Sequence, residues 1–356
     1  MTKPDDVSWA CYKLHEGPFL RGVCPFVLPD HPTREERIIA VITAVESGHY
    51  DAVNCYDAGI LSSGLVQWIE AGQYSVSAML GEVYKERGSE AVLQVLKPAL
   101  DLAGATFLPN GSGRFRFFFK GHDGSPQDEV DTIDKQRMLF TGGSDEKGTW
   151  TERTKLLAKT WAACIATLWQ DPENQAIQRS YTASQLSKFV RPAAHQVFLT
   201  MNMAGTDSKI LEAAYAAYLS FAVNNPVRAE KHLNIADDES GEVYDEAWLN
   251  VMLSELTYGP NIAIYPARYR AIKPVLEELY GVKLLDLKEP EWAVTVESTQ
   301  QILMRLGFDL GPYGADGKFG PKTKDALVAF QRAEGLSQYA DGTLNGPTVA
   351  ALRKLA

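Results

Sequence analysis

Cysteine is scarce in this chain of 356 residues. Its four cysteines, Cys11, Cys24, Cys55 and Cys164, form no CxxC pair. That excludes a zinc ribbon and argues for reduced thiols over a disulfide frame. The six histidines are equally scattered. His15-Glu16 lacks the second histidine of a zincin, and His49 near Asp51 has no companion motif, so no metal site is expected. A thiol peptidase would need Cys24 or Cys55 to meet His122 or His195, and no spacing pairs them. Long apolar runs are also missing: none reaches the roughly 18 residues of a membrane span. The opening "MTKPDDVSWACYKLHEGPF" has no basic region followed by an apolar core, so no signal peptide is expected. Basic residues are the minority, 35 Lys+Arg against 45 Asp+Glu, for a net charge of −10. The deficit is uneven. From Val296 onward seven Lys+Arg meet six Asp+Glu, and the preceding body carries 28 against 39. An acidic body argues against nucleic acid as a partner. It leaves room for a neutral polymer such as a glycan.

What is present is ordinary globular material, 45% hydrophobic and 22% charged, long enough for two domains. The expected division is 1–290 and 296–356. The first part reads as mainly helical with one or two β-hairpins. "RFRFFFKG" (Arg114 to Gly121) has the pattern of a strand. Trp150 to Gln170 has helical spacing, apolar at Leu156, Leu157, Trp161, Cys164, Ile165 and Leu168. Asp207 to Asn225 has a wide apolar face that suits a buried central helix. "AWLNVMLSELTY" and "YRAIKPVLEELYGV" add two more helices.

The last sixty residues contain an internal echo. Asp316-Gly317-Lys318-Phe319-Gly320-Pro321 precedes one helix, and Asp341-Gly342-Thr343-Leu344 precedes another. Asp-Gly suits a turn, and Pro suits the first turn of a helix. Gly307 and Gly335 stand where helix C-caps belong. Leu303, Leu306, Leu327, Phe330 and Leu352 give an apolar face, so three short helices joined by two Asp-Gly loops are expected. With Gln300, Leu303, Leu306 and Gly307 as its opening, "DGKFGPKTKDALVAFQ" as its middle and "DG…GPT…AL" as its close, this segment resembles the peptidoglycan-binding domain type 1 family. That resemblance implies a module that holds the chain on the bacterial wall.

The stretch "ITAVESGHYDAVNCYDAGILSSGLVQW" (Ile42 to Trp68) carries the candidate chemistry. Thr33 and Glu36 fit a capping box, and Ile38, Val41, Ile42 and Val45 repeat at helical spacing. Gly48 would end that helix, leaving Glu46 on its last turn, where a carboxylate is disfavoured. Tyr50 to Gly64 alternates enough for a hairpin turning at Asp57-Ala58-Gly59. Gly64 to Trp68 would begin the next helix. On local features alone Glu46 is a solvated helix-end residue and Asp57 a turn former.

The stretch also resembles the active-site segment of the lysozyme-like superfamily. Glu46-Ser47 followed by Gly64-Leu65-Val66-Gln67 is similar to the Glu-Ser…Gly-Leu-Met-Gln signature of lytic transglycosylases and goose-type lysozymes. The order Glu46, Asp57, Ser62 resembles the Glu–Asp–Thr set of phage-type lysozymes. The resemblance implies Glu46 as general acid, Asp57 positioning or activating water, and Ser62 assisting. Tyr56 and Gln67 would line the sugar groove, and Asp51 is the rival second carboxylate. The fold class it implies is mainly α, an α+β lysozyme-like domain with a small β-hairpin plus a three-helix wall-binding domain. The expected activity is that of a muramidase acting on bacterial peptidoglycan as a monomer, without cofactor, metal or membrane insertion. A phage endolysin or an injected effector would suit such a chain. A lytic transglycosylase and a non-catalytic wall-binding protein are the alternatives.

Overall fold

A computed structural model describes residues 1–355 except 13–14, 55–59, 72, 144–149, 204–207, 241–242, 259–263, 287–294 and 345. The chain is mainly helical with small sheets, as expected. It divides into two compact units, Met1–Pro29 with Glu46–Ser184, and Asp30–Val45 with Gln185–Ala356. The first helix, α1 (Arg34–Thr43), therefore belongs to the second unit, and Glu46 reopens the first. No helix among the described residues is long and apolar enough to cross a membrane.

The first unit carries more strand than a single hairpin. Five antiparallel strands run as a meander in sequence order: β1 (Ser8–Tyr12), β2 (His15–Leu20), β3 (Val53–Asn54), β4 (Ser62–Ser63) and β5 (Trp68–Ile69). The expected hairpin is β3 with β4, Val53 facing Ser63 and Asn54 facing Ser62. Next come α2 (Ser75–Arg87) and α3 (Ser89–Ala103). A three-stranded sheet follows, β6 (Ala105–Pro109), β7 (Phe115–Lys120) and β8 (Pro126–Glu129), with β7 the strand expected from "RFRFFFKG". Helices α4 (Ile133–Thr141), α5 (Glu152–Trp169) and α6 (Pro172–Gln185) complete it. Alternation in β7 turns Phe115 and Phe117 inward, where Phe117 meets Phe140 and Trp161 edge-on at 5.5 and 5.3 Å. Trp161 also donates its indole N–H to Leu139 O at 2.9 Å, which satisfies its polar edge. Of the α5 positions expected to be apolar and inward, Leu156 is exposed and the others are buried.

In the second unit α8 (Ser208–Ala222) is central, packed by α1, α7 (Pro192–Met203), α9 (Pro226–Ser240), α10 (Glu246–Tyr258) and α11 (Ile264–Tyr280). Buried Ala213, Ala214, Ala216 and Ala217 let its neighbours approach closely. Thr33 and Glu36 form the expected capping box, and Arg37 grips Glu212 on α8 with two hydrogen bonds of 2.7 and 3.0 Å.

The C-terminal segment has the three expected helices, α12 (Val296–Arg305), α13 (Pro321–Ala333) and α14 (Gly346–Leu355). The echo in its sequence is an echo in its bonding. Gln300 on α12 donates to Asp316 Oδ1, Lys318 O and Thr323 Oγ1, and accepts from Gly317 N at 2.8 Å. Gln331 on α13 donates to Thr343 O and Thr348 Oγ1, and accepts from Gly342 N at 2.9 Å. Each buried amide thus grips one Asp-Gly loop from the preceding helix. Leu303, Leu327, Phe330 and Leu352 are buried as expected, while Leu306 is exposed. The segment is also joined to α10, where buried Glu255 accepts from Val296 N at 2.5 Å and meets His232 Nδ1 at 3.2 Å.

Candidate functional site

Helix α1 stops at Thr43, so Glu46 lies in the turn beyond it and not on its last turn. Glu46 is half-buried. Its neighbour Ser47 does the structural work. The Ser47 hydroxyl lies 2.8 Å from Gly64 O and 3.3 Å from Leu65 O, and accepts from His49 N at 3.3 Å. His49 Nδ1 lies 2.7 Å from Ser47 O, which commits that ring to the loop. The Glu-Ser pair and the Gly-Leu-Val-Gln stretch are therefore in direct contact through Ser47.

Gly64 to Gln67 does not begin a helix, contrary to the sequence expectation. It is the turn joining β4 to β5, and α2 starts only at Ser75. The pairing of β4 with β5 requires a turn here, with φ of +86° at Gly64 and 53° at Gln67. Gln178, fully buried on α6, accepts from Leu65 N at 3.0 Å and donates to Tyr50 O at 3.2 Å. Its neighbours extend the clamp: Arg179 donates to Tyr50 OH at 2.9 Å, and Trp68 donates to Thr182 Oγ1 at 3.1 Å. Gly64 is required here. Its φ is +86°, and a Cβ would lie 2.8 Å from Gln178 Oε1. Gly64→Ala is expected to cost about 2 kcal/mol in stability and to loosen the Ser47 tie. Chemical denaturation checks it; an unchanged midpoint would contradict this account of the turn.

Three non-glycine residues with positive φ cluster around this turn: Ile60 at 61°, Gln67 at 53° and Tyr74 at 55°. Such strain collects at functional sites and persists only where surrounding bonds over-determine the backbone. Gln67 is half-buried and returns its amide to Gly64 O at 3.1 Å. Ser62 is buried in β4 opposite Asn54. Asp57 and Tyr56 lie outside the described residues.

Asp51 is fully buried. Its carboxylate accepts from Val23 N and Cys24 N, both at 2.9 Å, and from Gln170 Nε2 at 3.1 Å. Those bonds fix a loop, a role that sequence spacing did not signal because the partners lie 27 to 119 residues away. The same carboxylate bears on Cys24. Burial first, and then the Asp51 charge, raise the Cys24 thiol above its ordinary range, the reverse of what a nucleophile needs.

Glu70 carries no motif in the sequence. It follows β5, is fully buried, and accepts from Ser77 N at 2.8 Å and Ser77 Oγ at 2.5 Å at the start of α2. Burial dominates and raises its pKa from 4.5 to about 7, against the opposing pull of Ser77 and Arg116. The folded chain thus holds a proton that the unfolded chain releases near the ordinary value. The stability this confers is full below the unfolded value and is lost as pH rises through about 7. The span corresponds to about 3 kcal/mol. Glu70→Gln is expected to flatten that dependence and raise the melting temperature at pH 8. Equal slopes of melting temperature against pH in both proteins would contradict it.

One curated relative is the Type VI secretion system spike protein VgrG3 of Vibrio cholerae, 55% identical over 38 residues. The match covers 11% of this chain and 4% of that protein, so the chain spans a small fraction of its relative's length. No solved structure matches the chain significantly. Residues 294–352 match the family described as "Putative peptidoglycan binding domain", the segment built on the two glutamine-gripped Asp-Gly loops. That match supports a cell-wall-binding domain at the C-terminus.

Proposed function

We propose that the chain is a wall-anchored N-acetylmuramidase that hydrolyses the β-1,4 bond between N-acetylmuramic acid and N-acetylglucosamine. One observation carries the reading. Ser47 ties the loop bearing Glu46 to the Gly64–Gln67 turn, joining both halves of the lysozyme-like resemblance, in a chain whose C-terminal segment matches a peptidoglycan-binding family. Glu46 gives its proton to the glycosidic oxygen as the bond breaks. Positive charge develops on the sugar ring, and water adds at the anomeric carbon. Asp57 takes the proton of that water and Ser62 supports it. The C-terminal domain raises the local concentration of glycan at the site. The short likeness to a secretion-system spike protein supports delivery as an injected effector, with a phage endolysin as the other route.

Lytic transglycosylation is the second reading, and one observation favours it. The Asp51 carboxylate is spent within the protein, so hydrolysis rests on Asp57 alone. In that case the muramyl 6-hydroxyl attacks in place of water. Mass spectrometry of fragments released from purified sacculi separates the two. Reducing muramic acid ends are expected, 1,6-anhydro ends would establish the second reading, and intact sacculi would sink both.

A further inference from the structure

The segment from Arg21 to Pro29, "RGVCPFVLP", is held like a strand but faces the wrong way for one. Exposure alternates along it. Arg21, Val23, Pro25, Val27 and Pro29 are exposed, and Gly22, Cys24, Phe26 and Leu28 are half-buried. In a surface strand the outward positions are normally polar. Here four of the five are apolar, and Val23 and Val27 are 75% and 74% exposed. Single exposed apolar residues need no explanation. An alternating row of them on a fixed backbone does.

The backbone is fixed from below. Asp51 takes Val23 N and Cys24 N, Tyr50 N donates to Cys24 O at 2.9 Å, and Phe26 N donates to Gly48 O at 2.8 Å. Pro25 bridges to His49 in antiparallel register, and the Phe26 ring lies 6.2 Å from that of Tyr50. Gly22, at φ +91°, has no room for a side chain, since a Cβ would meet Asp51 Oδ1 at 2.5 Å. These backbone anchors lie between Gly48 and Asp51, the residues immediately after Glu46-Ser47. The strip and the candidate acid share one short piece of backbone.

We propose that the outward face of 21–29 is a substrate strip that receives the peptidoglycan strand beside Glu46. The N-acetyl and lactyl methyl groups would lie on Val23, Pro25 and Val27, with a stem-peptide carboxylate on Arg21. This rests on the glycosidase reading for the position of the scissile bond. Three features select that occupant. The strip is continuous with the loop of Glu46. At about 3.3 Å per residue it extends up to roughly 26 Å, enough for several sugars. Its only charge is positive, in a chain of net charge −10, and it meets a polymer whose peptide stems are anionic. A strip already held rigid also spares the ordering cost of binding.

The test is a titration of the full-length Glu46→Gln chain with a soluble tetrasaccharide of alternating N-acetylglucosamine and peptide-bearing muramic acid, followed by amide NMR. Shifts are expected at Val23, Cys24 and Val27. Val23→Ser with Val27→Ser should weaken this response about tenfold through lost apolar contact, and Val227→Ser, an exposed valine on α9, should not. Arg21→Gln should weaken binding of the peptide-bearing ligand but not of a chitin tetramer. Absent shifts at 21–29, with the same ligand cleaved by the wild-type chain, would overturn the strip and leave the glycosidase reading standing. Shifts at the strip without cleavage would do the reverse. Neither shifts nor cleavage would remove both.

Discussion

Glu46→Gln is expected to lower the rate of glycan cleavage by at least about a hundredfold, the range carried by a positioned general acid. Glutamine keeps the shape of the side chain and most of its hydrogen bonding, but has no proton to give. The effect on stability should be small. Glu46 lies outside α1 and is half-buried, and a neighbouring residue ties its loop to the β4–β5 turn. Ser47 is that residue, and Ser47→Ala supplies the contrast. It should lower activity together with melting temperature, because the bond to Gly64 O is lost. Lysis of purified sacculi, followed by turbidity beside a thermal melt, reads both variants. Near wild-type lysis by Glu46→Gln would remove Glu46 from the chemistry.

Gln331→Ala is expected to have the largest effect on wall binding. The Gln331 side chain is fully buried and makes three bonds, to Thr343 O, Thr348 Oγ1 and Gly342 N. Alanine leaves two backbone groups of the Asp341-Gly342 loop buried without partners and opens a void, at a cost of about 4 kcal/mol. A segment of this size has little stability to spare. The second loop should come apart and binding to sacculi should be lost. Cosedimentation with purified sacculi measures it. Full binding with an unchanged melting profile would contradict the role given to this amide. Gln300→Ala is the matching experiment on the first loop, since its amide makes the corresponding three bonds and a fourth to Asp316 Oδ1.

Local chemistry was legible in the sequence, and long-range bonding was not. The Thr33–Glu36 capping box needs only residues three apart, and it is present as expected. The two Asp-Gly loops likewise declare themselves, and Gly307 and Gly335 adopt the positive φ of helix ends. Leu65 and Val66 after a glycine look like the first apolar residues of a helix, yet Gly64 to Gln67 is a turn. What makes it a turn is the pairing of Ser62 with Ile69 and of Ser63 with Trp68, with Gln178, 113 residues downstream, bonded to Leu65 N. Asp51 is the same case. Its position five residues after Glu46 suggested a partner carboxylate, while its actual bonds run to Val23, Cys24 and Gln170. Gly48 reads as the end of α1, and the helix stops at Thr43. Glu70 gave no sequence signal, because its raised pKa comes from burial contributed by distant elements. The β3–β4 hairpin and the segment that matches the peptidoglycan-binding family could be named from residues alone. The clamp that brings Glu46-Ser47 against Gly64–Gln67 could not.

The central claim is that this chain cuts the glycan and that Glu46 supplies the proton. It is tested most directly by borohydride reduction of purified sacculi after digestion, with counts of reduced muramic acid and of newly freed amino groups. The wild-type chain should generate reducible muramic acid ends steadily, Glu46→Gln should generate almost none, and free amines should not rise in either digest. Equal muramic acid ends with both proteins, or a rise in free amines alone, would contradict the account.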